Sequence, residues 1–429
     1  MKILFEKIAI LFENGSVKND QYLVVDGKHI TFIGNERPEG PFDRIIAGEG
    51  RALCPGFYNG HTHVPMTLFR GYAENLPLSR WLHEKIFPAE DRLYPQAVHT
   101  AALLSCAEML QSGTVSFSDM YFFCDEIIEA TASSGLKANV SRAAVAFDPT
   151  ITAETDDRFK ESVKLHEQYH NLEDGRIKID MAIHAEYSTV ASSVRYISDY
   201  ALEHRLGMQI HVSETASEHE ECIRKYGLTP TEFLAENGLF RVPVTAAHCV
   251  HLSDHDIDIF AKNGATVVHN PASNLKLGSG VMRFADIAKA NINMTLGTDG
   301  AASNNTIDIM KEAYLAAILQ KGTTGVTDAF DSSYFVSMLT QNGAKMQGRA
   351  DSGKIAEGFC ADLVMLDMDM IHTLPVYNLC DAFLYNTNSS NVVMTMVNGR
   401  ILYEKGEFKT LDIEKIKYDF KNIVKTYFN

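Results

Sequence analysis

Apolar and polar residues alternate in short runs over the first fifty positions of the chain. QYLVV and HITFIG read as two strands, and the Asp26-Gly27 pair between them suits the two-residue turn of a hairpin, whose central positions need positive φ. The rhythm returns near the C-terminus, where CADLVML, VVMTMV and RILYEKG follow one another and Asn398-Gly399 supplies a second such turn. The pattern predicts antiparallel strands at both chain ends, combined into one small β-sandwich domain of residues 1–57 and 350–429.

Between the ends the period changes. Eight short apolar runs, at 53–61, 114–119, 137–145, 176–184, 207–213, 244–249, 265–270 and 291–299, alternate with helical stretches. In 96–111, for example, Ala101, Leu104, Ala107, Met109 and Leu110 fall near one helical face. Alternation of this kind implies a parallel sheet covered by helices. Eight units predict an α/β fold with a (β/α)8 TIM-like barrel over residues 58–349.

Composition narrows the class. A chain of 429 residues, 45% hydrophobic, can bury a large core, which excludes a disordered protein. Glu6, Lys7 and Glu13 break the apolar N-terminus, so neither a signal peptide nor a membrane span is expected there, and the expected location is the cytoplasm. Seven scattered cysteines without a C-x-x-C predict reduced thiols rather than a disulfide framework. The formal charge of −16, with no basic run to offset it, repels phosphate backbones and excludes nucleic acid as a partner.

The chemistry gathers at the strand ends. In order they offer His61 and His63, Asp119, Arg142, His184, His211, His248, His269 and Asp299. Barrel enzymes place their sites at that C-terminal rim. Ionisable groups at all eight ends exceed what packing explains, because buried ionisable groups need partners or a metal. In CPGFYNGHTHV the residues i and i+2 of a strand point to one side, so His61 and His63 can grip one ion. His211, closing MQIHV, and Asp299, closing MTLGTD, supply a third imidazole and a carboxylate. Taken singly, either reads equally well as a hydrogen-bonded core residue. Three nitrogens and one oxygen suit zinc, with ferrous iron the other fit, and leave room for a water. His184 stands where a two-metal site would need a bridging lysine, so one metal is expected.

One motif competes. His166-Glu167-Gln168-Tyr169-His170 matches the H-E-x-x-H of zinc proteases. Its surroundings, KLHEQYHNLEDG, are polar, end in a glycine turn and offer no third ligand, so the expectation is a solvated outer helix.

PGFYNGHTHVPMTLFRGYAENLPLSRWL, IHVSET, AAHCVH, HNPASNLKLGSG and LGTDGAASNN together resemble the amidohydrolase superfamily, and within it the 5-methylthioadenosine/S-adenosylhomocysteine deaminase branch, to which the s-triazine chlorohydrolases are related. The resemblance runs from the first strand to the G-K-I-x-x-G-x-x-A-D-L-V element at 353–364. It implies a single metal on His61, His63, His211 and Asp299, a proton shuttle at Glu214 and a water-assisting role for His248. It also implies that Glu90 holds ribose hydroxyls and that Arg142, Arg158 and His184 contact the rest of the ligand. Arg142 reads equally as a partnered core arginine. The implied reaction is deamination of an adenosine-type nucleoside, methylthioadenosine, S-adenosylhomocysteine or adenosine, at C6 to the inosine analogue and ammonia.

Metal activation of water makes hydroxide available near neutral pH. Asp299 or Glu214 would accept its proton and Glu214 would pass one to the ring nitrogen. The alternative is another amino-heterocycle, guanine, cytosine or an s-triazine, for which a ribose-reading Glu90 has no purpose. The resemblance further implies a homo-oligomer, a dimer or tetramer, in which Arg142 could act across a subunit boundary.

Overall fold

The computed structural model describes residues 1–428. Its central strands are buried at nearly every position, as expected of parallel strands covered on both faces. Four of them, β1 (Phe57–Thr62), β2 (Thr114–Tyr121), β3 (Lys137–Arg142) and β4 (Ile177–Ile179), form one parallel sheet. Five more, β5 (Met181–Ala185), β6 (Met208–Val212), β7 (Val244–His248), β8 (Thr266–His269) and β9 (Asn293–Leu296), form a second. The strand expected at 176–184 thus divides at Asp180: its N–H still donates to the Val140 carbonyl of β3 at 3.1 Å, whereas the next N–H, of Met181, donates to Gly207 at 2.9 Å and starts the pairing with β6.

The two sheets meet at both ends. Ala144 bridges to Ile183, and the Asp299 N–H donates to the His61 carbonyl at 3.0 Å. Glycine makes the second meeting possible: a Cβ on Gly60 would lie 2.7 Å from the Thr295 methyl, and one on Gly297 would lie 2.9 Å from the His61 oxygen.

Helices cover the strands. Helix α1 (Pro95–Gln111) opens with proline in its first turn and stops at Ser112 before Gly113, which has φ +82°. Beside it lies α2 (Cys124–Ser134), and α3 (Asp157–Tyr169) follows, with the Tyr169 hydroxyl donating to Asp125 of α2 at 2.8 Å. Among the described residues no helix is long and apolar enough to cross a membrane.

The strands at the chain ends pair as the turns predict, with Val17–Asp26 against His29–Gly34 and Val392–Val397 against Arg400–Glu404. They belong to one nine-stranded sheet that curls around its own core of Ile3, Phe5, Leu23, Leu363 and Met394. The first apolar run divides between two sheets. Residues 53–61 are not one strand: Arg51–Pro55 joins this outer sheet and only β1 joins the inner one, with Gly56 packed on Val115 between them.

A buried ion pair ties the two parts together. Lys137 of β3 reaches Asp362 at 2.5 Å, with side chains only 4% and 1% exposed, and the other Asp362 oxygen accepts the Asn398 N–H at 2.8 Å. Removing one partner leaves a buried charge unpaired, which costs about 3–5 kcal/mol. Asp362→Ala should therefore destabilise the protein by about that amount in urea unfolding. A loss below about 1 kcal/mol, the value of a surface pair, would contradict this account.

Candidate metal centre and active site

The strand ends bring together His61 from β1 and His63 just past it, His211 from β6, His248 from β7 and Asp299 just after β9, all of them buried or nearly so. Backbone carbonyls aim two of the rings. His63 Nδ1 donates to Met120 O at 2.6 Å, and His211 Nδ1 donates to His184 O at 2.6 Å. A carbonyl only accepts, so in both rings the hydrogen sits on Nδ1 and the Nε2 lone pair is bare.

Those bare nitrogens converge. His211 Nε2 lies 3.2 Å from His61 Nε2, while Asp299 Oδ1 lies 3.3 Å from His63 Nε2 and 3.7 Å from His61 Nε2. Ligand atoms about 2.0–2.1 Å from a tetrahedral ion stand roughly 3.3 Å from one another, and the cluster has that spacing. Lone pairs facing each other and a carboxylate repel unless a cation sits among them. The donor set therefore fits a divalent metal ion.

Asp299 is held from behind. Its Oδ2 accepts the Ser273 and Ser303 hydroxyls at 2.6 and 2.9 Å, and its Oδ1 accepts the Gly300 N–H at 2.8 Å. Burial alone would raise its carboxyl, but the imidazoles of His61, His63 and His248 around it hold it well below the usual range. Burial keeps His61 unprotonated down to about 4 and pushes His63 and His211 down as well.

Glu214 and His248 flank this cluster. Glu214 Oε1 accepts the Ser279 hydroxyl at 3.1 Å and its Oε2 lies 3.8 Å from His248 Nε2. The His248 Nδ1 is engaged by Asn274 Oδ1 at 2.7 Å. Burial raises the Glu214 carboxyl, a condition suited to carrying a proton. Burial alone would lower His248, but the charges of Glu214 and Asp299 outweigh it and raise the imidazole.

The remaining predicted residues divide. His184 joins the group, its ring 5.0 Å from that of His211 and its Nδ1 bonded to Ser188 at 2.9 Å. Glu90 is linked to it through Tyr121, whose hydroxyl donates to Glu90 Oε1 at 2.6 Å and whose ring lies 6.0 Å from that of His63. Burial pushes the Glu90 carboxyl up to about 7. Arg142 has partners of its own, Glu161 at 2.7 Å and the Phe122 ring at 5.0 Å. Arg158 is exposed and donates to Val145 O at 2.9 Å. Asp119 accepts the Val64 N–H at 2.7 Å, fixing the chain just after His63, and burial raises its carboxyl to about 8.

The H-E-x-x-H stretch lies on α3, where His166 Nδ1 is bonded to Tyr200 at 2.8 Å and His170 Nδ1 accepts the Ile179 N–H at 3.1 Å. Among the described residues neither histidine belongs to a group that could hold a metal. Ser273, Asn274 and Ser279, all within the HNPASNLKLGSG stretch, together with Ser303 and Tyr121, had no assigned role in the sequence reading. Serine and asparagine in a loop carry no signal of their own until the fold places them against Asp299, His248 and Glu214.

The Amidohydrolase family profile matches residues 52–402. The chain belongs to the amidohydrolase family. Among curated relatives, a 5-methylthioadenosine/S-adenosylhomocysteine deaminase of Dictyoglomus thermophilum is 41% identical over 419 residues, covering 98% of this chain and 97% of its own. A 5'-deoxyadenosine deaminase of Methanothermobacter thermautotrophicus is 38% identical over 404 residues, covering 94% and 93%. Among solved structures, an adenosine deaminase from Xanthomonas campestris with bound zinc superposes with a TM-score of 0.92 at 30% identity, covering 99% of this chain and 98% of that one.

For this amidohydrolase, elemental analysis should find His61→Ala stripped of metal and His166→Ala fully loaded; the opposite result would place the metal on α3. Because burial holds His61 near 4, against 6.5 for a free imidazole, lowering the pH should not protonate the ligands until well below 6.5. Metal release with a midpoint at or above pH 6.5 would contradict this.

Proposed function

We propose that the chain is a metal-dependent aminohydrolase that deaminates an adenosine-type nucleoside, such as methylthioadenosine, S-adenosylhomocysteine or adenosine, to the inosine analogue and ammonia. What carries the reading is Glu214, a buried carboxyl raised toward carrying a proton, set between Ser279 and His248 beside a mutually facing ligand set. Near full-length relatives named as deaminases of that substrate class support it. The two parallel sheets are read as halves of one (β/α)8 barrel over residues 58–349, and the curled sheet as a β-sandwich domain of residues 1–57 and 350–429. A cytoplasmic, homo-oligomeric enzyme is the accompanying proposal.

One divalent metal, zinc by preference, would be held by His61, His63, His211 and Asp299 and would supply Lewis acidity that brings the pKa of water to about 7. The chain's own groups move the protons. Asp299, ionised, takes a proton from the attacking water. Glu214 delivers one to the ring nitrogen next to C6, which makes that carbon electrophilic as the oxygen adds. His248, its Nδ1 tied to Asn274, presents Nε2 to orient the water and to steady charge as it develops. Proton return to the exocyclic nitrogen releases ammonia. Glu90, braced by Tyr121, holds the ribose hydroxyls, and His184, Arg142 and Arg158 contact the rest of the ligand.

Ammonia release from metal-quantified protein tests the assignment against adenosine, S-adenosylhomocysteine, methylthioadenosine, guanine, cytosine and a chlorotriazine. Adenine nucleosides should be the best substrates, whereas a free base or triazine in first place would remove the purpose given to Glu90. Glu214→Gln should keep its metal and lose about 10²–10⁴-fold in kcat. Undiminished turnover in that variant would overturn the shuttle.

A further inference from the structure

Glu214 hangs from a short connection between β6, which ends at Val212, and helix α4 (Ala216–Tyr226). The first N–H groups of a helix and of the turn before it have no partner within the helix. Here they converge on one side chain. Glu218 Oε1 accepts the Ser213 N–H at 3.0 Å, and its Oε2 accepts the Glu214 N–H at 2.8 Å and the Thr215 N–H at 3.4 Å. The Glu218 N–H donates back to Thr215 Oγ1 at 3.2 Å, which completes a capping box.

A capping box ordinarily commits its carboxylate to the N-cap N–H. This one reaches two residues further out and takes the peptides on either side of Ser213, the residue between β6 and Glu214. Ser213 itself is in the left-handed region at φ +46°, a conformation that a non-glycine residue holds only when its surroundings enforce it. From the opposite side its carbonyl accepts the N–H groups of Val250 and His251 at 3.1 and 3.0 Å, just past His248. Glu218 is 8% exposed, and its oxygens answer backbone donors rather than a cation.

We propose that Glu218 is the positioning residue for Glu214: it locks the peptide carrying the proton-transfer carboxylate, so that one oxygen meets Ser279 while the other faces His248. The inference rests on the reading of Glu214 as the proton carrier. Proton transfer demands approach within about 2.6–3.2 Å, and a carboxylate on an unclamped turn loses that geometry without losing the metal ligands, which sit on the strands behind it.

A double-mutant cycle on the metal-loaded enzyme decides it. kcat, KM and metal content are measured with the best adenine nucleoside for wild type, Glu218→Gln, Glu214→Gln and the double variant. Glu218→Gln should keep its metal, change KM little and lower kcat about 10–100-fold, the usual effect of disturbing a supporting group. Added to Glu214→Gln, it should cost less than about twofold more, because both substitutions then remove one function. Glu218→Asp, one methylene short of the three N–H groups, should behave the same way and serves if the glutamine variant does not fold.

A loss in the double variant equal to the product of the single losses would overturn the proposal while leaving Glu214 as the shuttle. So would wild-type kcat in a folded Glu218 variant, or metal loss in it. Full turnover in Glu214→Gln alone would instead bring down the reading on which the proposal stands.

Discussion

Imidazole nitrogens stripped of hydrogen and an ionised carboxylate are held facing one another in the interior, and that unfavourable arrangement governs the rest of the molecule. His63 and His211 cannot turn a hydrogen inward because each has already given it to a carbonyl, Met120 and His184. Asp299 cannot relax away because two serine hydroxyls and the Gly300 N–H hold it. Such a cluster is stable only around a cation, so the fold expends backbone geometry and hydrogen bonds on building a site it does not need for its own cohesion.

Backbone strain is where that effort shows. Ser213, His248 and Asp299 all have positive φ, and each lies at or just past the end of a parallel strand. Non-glycine residues in that region cost of order 1–3 kcal/mol each. The turns are enforced from outside: Val250 and His251 bond the Ser213 carbonyl, and Asp299 bonds the His61 carbonyl across the junction of β1 and β9. At the far end of the strands a different polar group does the opposite work. Arg349, buried, donates to the carbonyls of Gly175, Ala138 and Arg176, satisfying backbone groups rather than presenting reactive ones. One end of the sheets therefore directs its buried cation at backbone carbonyls, and the other is left with lone pairs and carboxylates to offer a ligand.

Much of this was legible in the chain. Period-two and buried runs placed the strands to within a few residues, because strands covered on both faces are rich in apolar residues. Asp26-Gly27 and Asn398-Gly399 placed the hairpins because few residue pairs accept their backbone angles. Two boundaries escaped. The run at 53–61 looked continuous because both sheets want the same apolar residues, and only Gly56 marks the passage between them. Asp180 breaks the fourth strand because it answers Asn139 and Gln209, neighbours far away in sequence.

The sequence by itself determined the ligand types, their order along the chain and their position at strand ends, since i and i+2 spacing and strand polarity are local properties of a backbone. It could not determine who supports them. Ser273 and Ser303 beneath Asp299, Asn274 behind His248, Tyr121 beneath Glu90, and the Glu161 partner that occupies Arg142 are all separated in sequence from what they serve, apart from the short reach from Ser303 to Asp299. Hydroxyl and amide side chains bond whatever the fold places within about 3 Å, so their roles exist only once the tertiary structure has chosen their neighbours. The pair His61 and His63 was readable as a candidate metal site because the two residues stand two apart at one strand end, whereas the orientation that aims them at one point was decided by Met120, on another strand, and by Asp299, just past a third.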